Sequence, residues 1–282
     1  MVKVRSILIA AAMTLVGCNT FDIVGFVAPT GDVVNSRFEQ SMSLSGDKAT
    51  AHIEAEEAYL VYVCTDPHIG KTSTNLQKFA SLMRNDHSAP LGIVLGDCTE
   101  LQGAMTTYAE AIKSDSEAPI FSLIGNHDLY FSGWEDFRSL LGPSVYWFEV
   151  AHSSGSDLFI ALDSASGTLG RKQMEWLKGF LTGQRHMYRH CVILTHTNLF
   201  YTDNSQTGSG NMAMEETHAL LDLFSRNNVT LCLQGHDHYR EDLTFDGVRY
   251  TIVGTIRDEA DKPEYLIIRL SDNGTEYIWK EL

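Results

Sequence analysis

The sequence predicts an α/β fold in which two packed sheets lie between outer helices. Short apolar runs typical of buried strands alternate with stretches whose apolar residues recur at helical spacing. Polar side chains follow directly after several of these runs, which is where open α/β sheets place their ligands. The tail, residues 243–282, alternates short strands and turns, and we expect it to form a second sheet that pairs with the strands near Tyr146 and Phe159.

The composition is that of an ordinary globular protein of 282 residues, with 44% hydrophobic and 20% charged residues. This length can hold a sizeable core in one large domain or two modest ones. The formal net charge of −15 disfavours a protein that grips nucleic acid through a broad basic face. We therefore expect no stable nucleic-acid complex, and the sequence indicates no particular oligomeric state.

The N-terminus has the pattern of an export signal. After two basic residues, the apolar run 7–16 is too short to span a bilayer but has the length of a signal-peptide core. The run ends in Leu15-Val16-Gly17-Cys18, which resembles the bacterial lipobox, in which the cysteine is lipidated. We predict a lipoprotein signal peptide over residues 1–17, lipidation at Cys18 and export to the periplasmic or cell-surface side of a membrane. By resemblance to proteobacterial sorting, Asn19 favours the outer membrane over the inner membrane. The alternatives to a lipoprotein signal are an ordinary cleaved signal peptide or a buried N-terminal helix.

Residues 18–57 read as a tether whose later part packs on the edge of the domain. Short strands are predicted at 35–40 and 49–54, and no chemistry is assigned to this segment.

Four further cysteines lie in or at the end of apolar runs. Export would place them in a compartment that permits disulfides. A domain of this length needs no disulfide to stabilise it, so we predict four buried, unpaired small hydrophobic side chains. These are Cys64, Cys98, Cys191 and Cys232.

The first of five chemistry-bearing stretches follows the apolar run 58–65 and contains Asp66 and His68. Residues two apart in an extended chain point the same way. A carboxylate and an imidazole placed in this way can bind one divalent metal ion. The alternative is an ordinary turn, because Asp-Pro commonly starts turns.

The second and third stretches repeat the order of apolar strand, glycine and polar side chain. The run 90–95 ends in Gly96-Asp97, and a carboxylate has two oxygens with which Asp97 can bridge two ions. The run 119–124 ends in Gly125-Asn126-His127-Asp128. Each of these two short stretches alone is also common in turns. The repetition of the same order after successive strands is what indicates a metal site.

The fourth and fifth stretches follow the apolar runs 191–194 and 229–233. The fourth places His196 after its strand, and the fifth places His236 and His238 on one face, where they can serve two metal ions. The loop 200–214 directly follows His196 and is rich in turn-forming residues, so we expect it to border the substrate.

As an ordered set, these five stretches resemble the calcineurin-like metallophosphoesterase family over residues 58 to about 240. The resemblance implies a four-layer αββα sandwich of two mixed sheets flanked by helices, and a phosphoesterase domain over residues 58–282. It also implies two divalent ions (Mn, Fe or Zn), which carboxylates, amides and imidazoles suit. The implied ligands are Asp66, His68 and His238 at one ion, Asn126, His196 and His236 at the other, and Asp97 between the two.

The resemblance further implies the catalytic roles. The two ions, about 3.5–4 Å apart, would generate a bridging hydroxide that attacks phosphorus. His127 would protonate the leaving oxygen as the general acid or stabilise the charged transition state. Asp128 is expected either to orient the His127 ring or to cap a helix.

Two further stretches, 162–164 and 173–177, resemble the branch of the family that holds exported phosphodiesterases and purple acid phosphatases. The chromophoric tyrosine of the purple enzymes is expected three residues after Asp97, where this chain has Glu100. We therefore expect no Fe(III)-tyrosinate centre.

The sequence thus predicts a binuclear hydrolase of a small phosphoester, with a preference for phosphodiesters. The alternatives are a phosphomonoesterase or pyrophosphatase of the same fold, or a surface-anchored binding lipoprotein without turnover. The complete ligand set favours an enzyme.

Overall fold

The computed structural model describes residues 32–46, 48–113, 118–200 and 212–282. The predicted export signal and Cys18 lie outside these ranges, as does most of the loop expected to border the substrate. No helix within the described ranges is both long and apolar enough to cross a membrane.

The described chain forms twelve strands and six α-helices. The strands are β1 (His52–Glu54), β2 (Tyr59–Cys64), β3 (Leu91–Val94), β4 (Ile120–Ser122), β5 (Tyr146–His152), β6 (Gly155–Ala161), β7 (Cys191–Leu194), β8 (Leu231–Gln234), β9 (Glu241–Phe245), β10 (Val248–Ile252), β11 (Glu264–Ser271) and β12 (Gly274–Glu281). The helices are α1 (Asp32–Ser45), α2 (Thr74–Arg84), α3 (Met105–Ile112), α4 (Gly133–Leu140), α5 (Gly170–Gln184) and α6 (Met214–Arg226). Short 3₁₀ helices span His127–Ser132 and Arg185–Met187.

The strands form two mixed sheets. The seven-stranded sheet has the order β1-β5-β6-β7-β8-β10-β9, and the five-stranded sheet has the order β12-β11-β2-β3-β4. Side chains alternate along a strand, so each sheet has two faces. One face packs against the other sheet, and the opposite face packs against helices. In β2, Val61 and Val63 belong to the core between the sheets, whereas Tyr62 and Cys64 lie in the core beneath α2 and α3. A third core lies between the seven-stranded sheet and helices α5 and α6, which confirms the predicted αββα layers.

The prediction of a strand at residues 35–40 is wrong, because this segment lies within α1. Its buried side chains Val34, Arg37, Phe38 and Ser41 recur at helical spacing. Helix α1 packs against α5, with the rings of Phe38 and Trp176 6.1 Å apart. The predicted strand at 49–54 is confirmed in its second half as β1.

The predicted pairing of the tail is also wrong. Strands β9 and β10 join the seven-stranded sheet beside β8, and β11 and β12 join the five-stranded sheet beside β2. The physical reason is that β5 pairs with β1 and β6, while β6 pairs with β5 and β7. Neither strand has a free edge for the tail.

All four cysteines within the described ranges are free and buried, as predicted. Burial raises the pKa of the Cys64, Cys98, Cys191 and Cys232 thiols, so these side chains behave as small apolar groups.

Candidate metal centre

The candidate site lies at the carboxyl ends of five strands. Strands β2, β3 and β4 are parallel neighbours in one sheet, and β7 and β8 are parallel neighbours in the other. Their carboxyl ends meet at one edge of the sandwich, so the loops that follow them converge. These loops carry all seven proposed metal ligands.

The backbone at these loops is strained. Eight non-glycine residues in the described ranges have positive φ, and five of them are proposed ligands: Asp66, His68, Asp97, His236 and His238. A left-handed backbone is costly for residues with a Cβ and persists where surrounding contacts enforce it, commonly at functional sites. The loops are thus held in conformations that favour ligand geometry over backbone preference.

The first cluster consists of Asp66, His68 and His238. Their candidate ligand atoms all lie within 4.8 Å of one another. The Nε2 atoms of the two histidines are 3.1 Å apart. Oδ1 of Asp66 lies 3.2 Å from Nε2 of His238 and 3.6 Å from Nε2 of His68.

The oxygen of Asp66 that faces these histidines is buried and makes no hydrogen bond within the described chain. Its other oxygen accepts hydrogen bonds from Thr65 Oγ1 at 2.6 Å and from the amide of His236 at 3.0 Å. One carboxylate oxygen is thus fixed, and the second converges with two imidazole nitrogens. This donor set fits a divalent metal ion.

The second cluster consists of Asp97, His196 and His236, all buried, with Asn126 beside them. Nε2 of His196 lies 3.0 Å from Oδ1 of Asn126, 3.2 Å from Nδ1 of His236 and 3.3 Å from Oδ1 of Asp97. These four side chains therefore converge on one region and also fit a divalent ion.

Asp97 joins the two clusters. Its Oδ1 faces His196, and its Oδ2 lies 3.7 Å from Nε2 of His68 in the first cluster. The amide of His127 donates to Oδ1 at 2.8 Å. This position between the clusters suits a bridging carboxylate.

The charges of these groups support one another. Burial alone would lower the pKa of His68, but the nearby carboxylates of Asp66 and Glu100 raise it to about 10. Burial alone would also lower the pKa of His196, but the charge and hydrogen bond of Asp97 raise it to about 9. Burial alone would raise the pKa values of Asp66 and Asp97, but the surrounding histidines hold both below the usual range. The protein thus balances two buried carboxylates with imidazolium charges.

Buried glycines allow the loops to approach closely. A Cβ at Gly125 would meet the backbone nitrogen and Oδ1 of Asp97 at 2.2 Å, and one at Gly235 would meet Thr65 Oγ1 at 2.1 Å. Real Cβ atoms do not come this close, so the sequence needs glycine at both strand ends.

His127 lies at the exposed edge of the two clusters, with 26% of its side chain accessible. Its Nε2 is 4.0 Å from Oδ2 of Asp97, and its ring packs edge-on against His68 with centroids 4.6 Å apart. Burial is the main cause that lowers the pKa of His127. The imidazole is therefore accessible and close to the metal ligands, as a proton donor must be.

Glu100 is the site residue whose role the sequence did not reveal. Its Oε2 lies 2.7 Å from Nδ1 of His68 and 3.2 Å from Nδ1 of His127. A carboxylate on Nδ1 fixes the imidazole so that Nε2 faces the metal position. From sequence, only its distance of three residues from Asp97 singled it out.

In the second cluster, a backbone carbonyl oxygen fixes the orientation of a histidine ring. His196 Nδ1 lies 2.9 Å from the carbonyl of Leu95, which directs Nε2 towards Asp97 and Asn126. The amides of His196 and Thr197 both donate to Oγ of Ser164 at 3.0 Å. The loop after β6 therefore supports the loop after β7.

The side chain of Asp128 takes neither of the two roles expected from the sequence. Its carboxylate accepts hydrogen bonds from the backbone amides of Cys98, Thr99 and Gly125 at 2.9–3.0 Å, so it neither orients the His127 ring nor caps the short helix. Burial, with the charge of Asp97, raises the pKa of Asp128 to about 6. The residue joins two ligand-bearing loops and is a positioning residue, because its oxygens are directed at backbone amides.

Comparison with known proteins agrees with this geometry. The family model of the calcineurin-like phosphoesterases matches residues 59–240, more than half of the chain. No curated protein is significantly similar to the chain.

Three solved structures have a similar fold. GAP50, described as the anchor in the inner membrane complex of Plasmodium, is 12% identical over 80% of this chain and 85% of its own, with a TM-score of 0.60. A dimetal phosphatase from Danio rerio is 12% identical over 78% of this chain and 98% of its own, with a TM-score of 0.58. The purple acid phosphatase PPD1 of yellow lupin (Lupinus luteus) is 15% identical over 80% of this chain but only 52% of its own, with a TM-score of 0.61.

Identities this low show a shared fold and nothing finer. The match to the family model, which covers all five ligand-bearing stretches, shows more. The chain belongs to the calcineurin-like phosphoesterase family and is a metallophosphoesterase, a hydrolase of phosphoester bonds.

Proposed function

We propose that the protein is a binuclear metal-dependent phosphodiesterase that hydrolyses a small phosphoester. The observation that carries this proposal is the pair of ligand clusters that share Asp97. The proposed ligands are those expected from the sequence: Asp66, His68, Asp97, Asn126, His196, His236 and His238.

Two divalent ions, when bound, supply Lewis acidity that activates water and neutralises charge on the phosphoryl oxygens. Hard oxygens and imidazoles, with no thiolate, favour Mn, Fe or Zn. The ligands of the two clusters would hold these ions, with Asp97 contributing to both.

His127 is the proposed general acid. The charge of the Glu100 carboxylate, 3.2 Å from Nδ1, favours the imidazolium form, but burial outweighs it and lowers the pKa of His127. Nε2, on the side of Asp97, then donates a proton to the leaving oxygen. Because the pKa of His127 is lowered, the donor is stronger than a free imidazolium.

The preference for diesters is supported by space beside the metal ligands. A phosphodiester carries two organic substituents, of which one leaves and one is retained. A cavity of about 310 Å³ opens beside His68 and Glu100, and His127 does not line it. The cavity can hold the retained substituent while the leaving group departs next to His127.

Paired rate measurements test the proposal. Protein loaded with Mn²⁺ should hydrolyse bis-p-nitrophenyl phosphate faster than p-nitrophenyl phosphate. Equal or faster hydrolysis of the monoester would overturn the diester preference. Hydrolysis of neither compound by protein of measured manganese content would overturn the proposed activity.

We further propose that the mature chain begins at a lipidated Cys18 and acts on the periplasmic or cell-surface side of a membrane. The support is the apolar run that ends in Leu15-Val16-Gly17-Cys18. Labelled palmitate should enter the wild-type protein and not Cys18→Ser. Incorporation into Cys18→Ser, or none into the wild type, would contradict this.

A further inference from the structure

The cavity beside His68 and Glu100 is lined by three loops, one of which is the loop after β3 that carries Glu100 and Leu101. The other two carry the basic side chains. One is the segment 67–72 after β2, which follows the first metal ligand, and the other is the segment 257–259 between β10 and β11. Its volume of about 310 Å³ lies at the lower end of the range for small-molecule pockets.

Two basic side chains line this cavity, Lys71 and Arg257. Lys71 is exposed and forms no ion pair with any residue in the described ranges. The Nε atom of Arg257 is buried without a hydrogen-bond partner there, and its nearest carboxylate, Glu259, is 3.7 Å away on a side chain that is 72% exposed. Three carboxylates, Glu100, Asp258 and Glu259, also line the cavity, so a site for an anion there depends on the exposed Lys71 and on the buried Nε of Arg257 that lacks a hydrogen-bond partner.

The other acidic groups of the cavity are engaged by donors of the chain. Glu100 faces the ring nitrogens of His68 and His127. Asp258 accepts hydrogen bonds from the Thr72 hydroxyl and from the amide of Asn75 at 2.8 Å. Their oxygens are therefore directed at these partners. Lys71 is left available to a ligand, and Arg257 has only the exposed Glu259, 3.7 Å away, as a competing partner.

The loop that carries Arg257 is fixed to the metal-binding loop. Thr255 Oγ1 donates to the carbonyl of Asp66 at 2.7 Å and accepts from the amide of Arg257 at 3.1 Å. The amide of Ile256 donates to the carbonyl of Thr65 at 3.1 Å. Arg257 is thus two residues from a direct contact with the proposed ligand Asp66, and its distance from the metal position is set by the fold.

We infer that Lys71 and Arg257 in this cavity bind a second acidic group of the substrate, a phosphate or carboxylate carried by the substituent that is retained. The substrate class is therefore a small phosphodiester with a further anion on one side of the scissile phosphate. This inference rests on the proposed function, because the scissile phosphate must lie at the metal centre for the second anion to reach Lys71 and Arg257.

A binding experiment on the manganese-loaded protein tests the inference without requiring turnover. Phosphonoacetate and phosphonoacetamide have nearly the same shape and differ by one negative charge, and 3-phosphonopropionate and its amide form a longer pair. We expect the wild type to bind the acid of at least one pair about ten-fold more tightly than its amide, by isothermal titration calorimetry. In the double variant Lys71→Gln/Arg257→Gln this ratio should fall to about one.

The control is Lys178→Gln, which removes one positive charge from an exposed position on α5 and should keep the wild-type ratio. Manganese content is measured for every variant, so that only loaded proteins are compared. An equal affinity for acid and amide in the wild type, or a full preference in the double variant, would overturn the inference. Failure of the proposed function would show separately, as an absence of diester hydrolysis by protein that still prefers the acid.

Discussion

His68 and Glu100 face each other, with Nδ1 of the imidazole 2.7 Å from a carboxylate oxygen. Only 2% of the His68 side chain is exposed, whereas 43% of the Glu100 side chain is. The pair therefore reaches from the buried metal ligands to the solvent-facing edge, where Glu100 also lies beside His127. One carboxylate thus links a proposed metal ligand to the proposed proton donor.

Replacement of Glu100 should weaken the site through His68. Groups that orient a metal-bound imidazole typically contribute about 10–100-fold to metal affinity or activity, so Glu100→Ala should lower manganese affinity by that amount. Glu100→Gln keeps an acceptor for Nδ1 and should recover part of the affinity. Glu175→Gln, at an exposed position on α5, is the control and should keep wild-type affinity and rate. Wild-type affinity and rate in Glu100→Ala would contradict this role.

Asn126 and His127 are neighbours with separable roles. Asn126→Ala removes an oxygen that lies 3.0 Å from Nε2 of His196, and it should lower metal occupancy. His127→Ala should keep both metal ions and lower the hydrolysis rate by about 10²–10⁴-fold, the usual contribution of a general acid. Metal content and rate are measured on the same samples. If His127→Ala emptied the site, the two roles assigned here would be wrong.

Metal binding should release protons. In the metal-free protein, the pKa values of His68 and His196 are raised to about 10 and about 9, so both imidazoles are protonated at pH 7. A metal ion binds neutral imidazole and must displace these protons. Apparent manganese affinity should therefore rise with pH from 7 towards 9 and fall below 7. Calorimetry in buffers of different ionisation enthalpy should detect the release, and a pH-independent affinity without it would contradict these protonation states.

Gly125 is needed for steric reasons. A Cβ there would meet the backbone nitrogen and Oδ1 of Asp97 at 2.2 Å, so Gly125→Ala should displace the carboxylate between the clusters and lower metal occupancy. Gly179→Ala on α5 is the matched control, because its Cβ would meet nothing within 4 Å. In that helix, alanine should stabilise the protein by about 0.5–1 kcal/mol. Wild-type metal content in Gly125→Ala would show that the loops can move apart.

The layers of the fold and the seven proposed ligands were predictable from the sequence for one physical reason. Each apolar run such as 90–95 marks a buried strand, and parallel strands bring their carboxyl ends to one edge. The polar residues after each run, such as Asp97, then converge at that edge, and this does not depend on where the helices begin and end. Local pattern and topology thus point to the same edge of the sandwich.

The features that the sequence did not reveal depend on contacts between residues that lie far apart in the sequence. Helix α1 was missed because its buried face includes Arg37, which reads as a surface residue until Asp163 neutralises it at 2.9 Å. The role of Asp128 depends on which amides lie opposite its carboxylate, and the tail strands depend on which sheet edges are free. None of these follows from local pattern, because each needs the tertiary arrangement.

A binuclear centre that shares Asp97 should bind two metal ions per chain. Metal analysis of protein purified without chelator, followed by titration with Mn²⁺, measures this number while hydrolysis of bis-p-nitrophenyl phosphate is followed on the same sample. Two ions per chain are predicted, with hydrolysis that is lost in chelator and returns as the second ion binds. Saturation at a single ion, or hydrolysis that persists without metal, would show that the centre is not a binuclear catalyst.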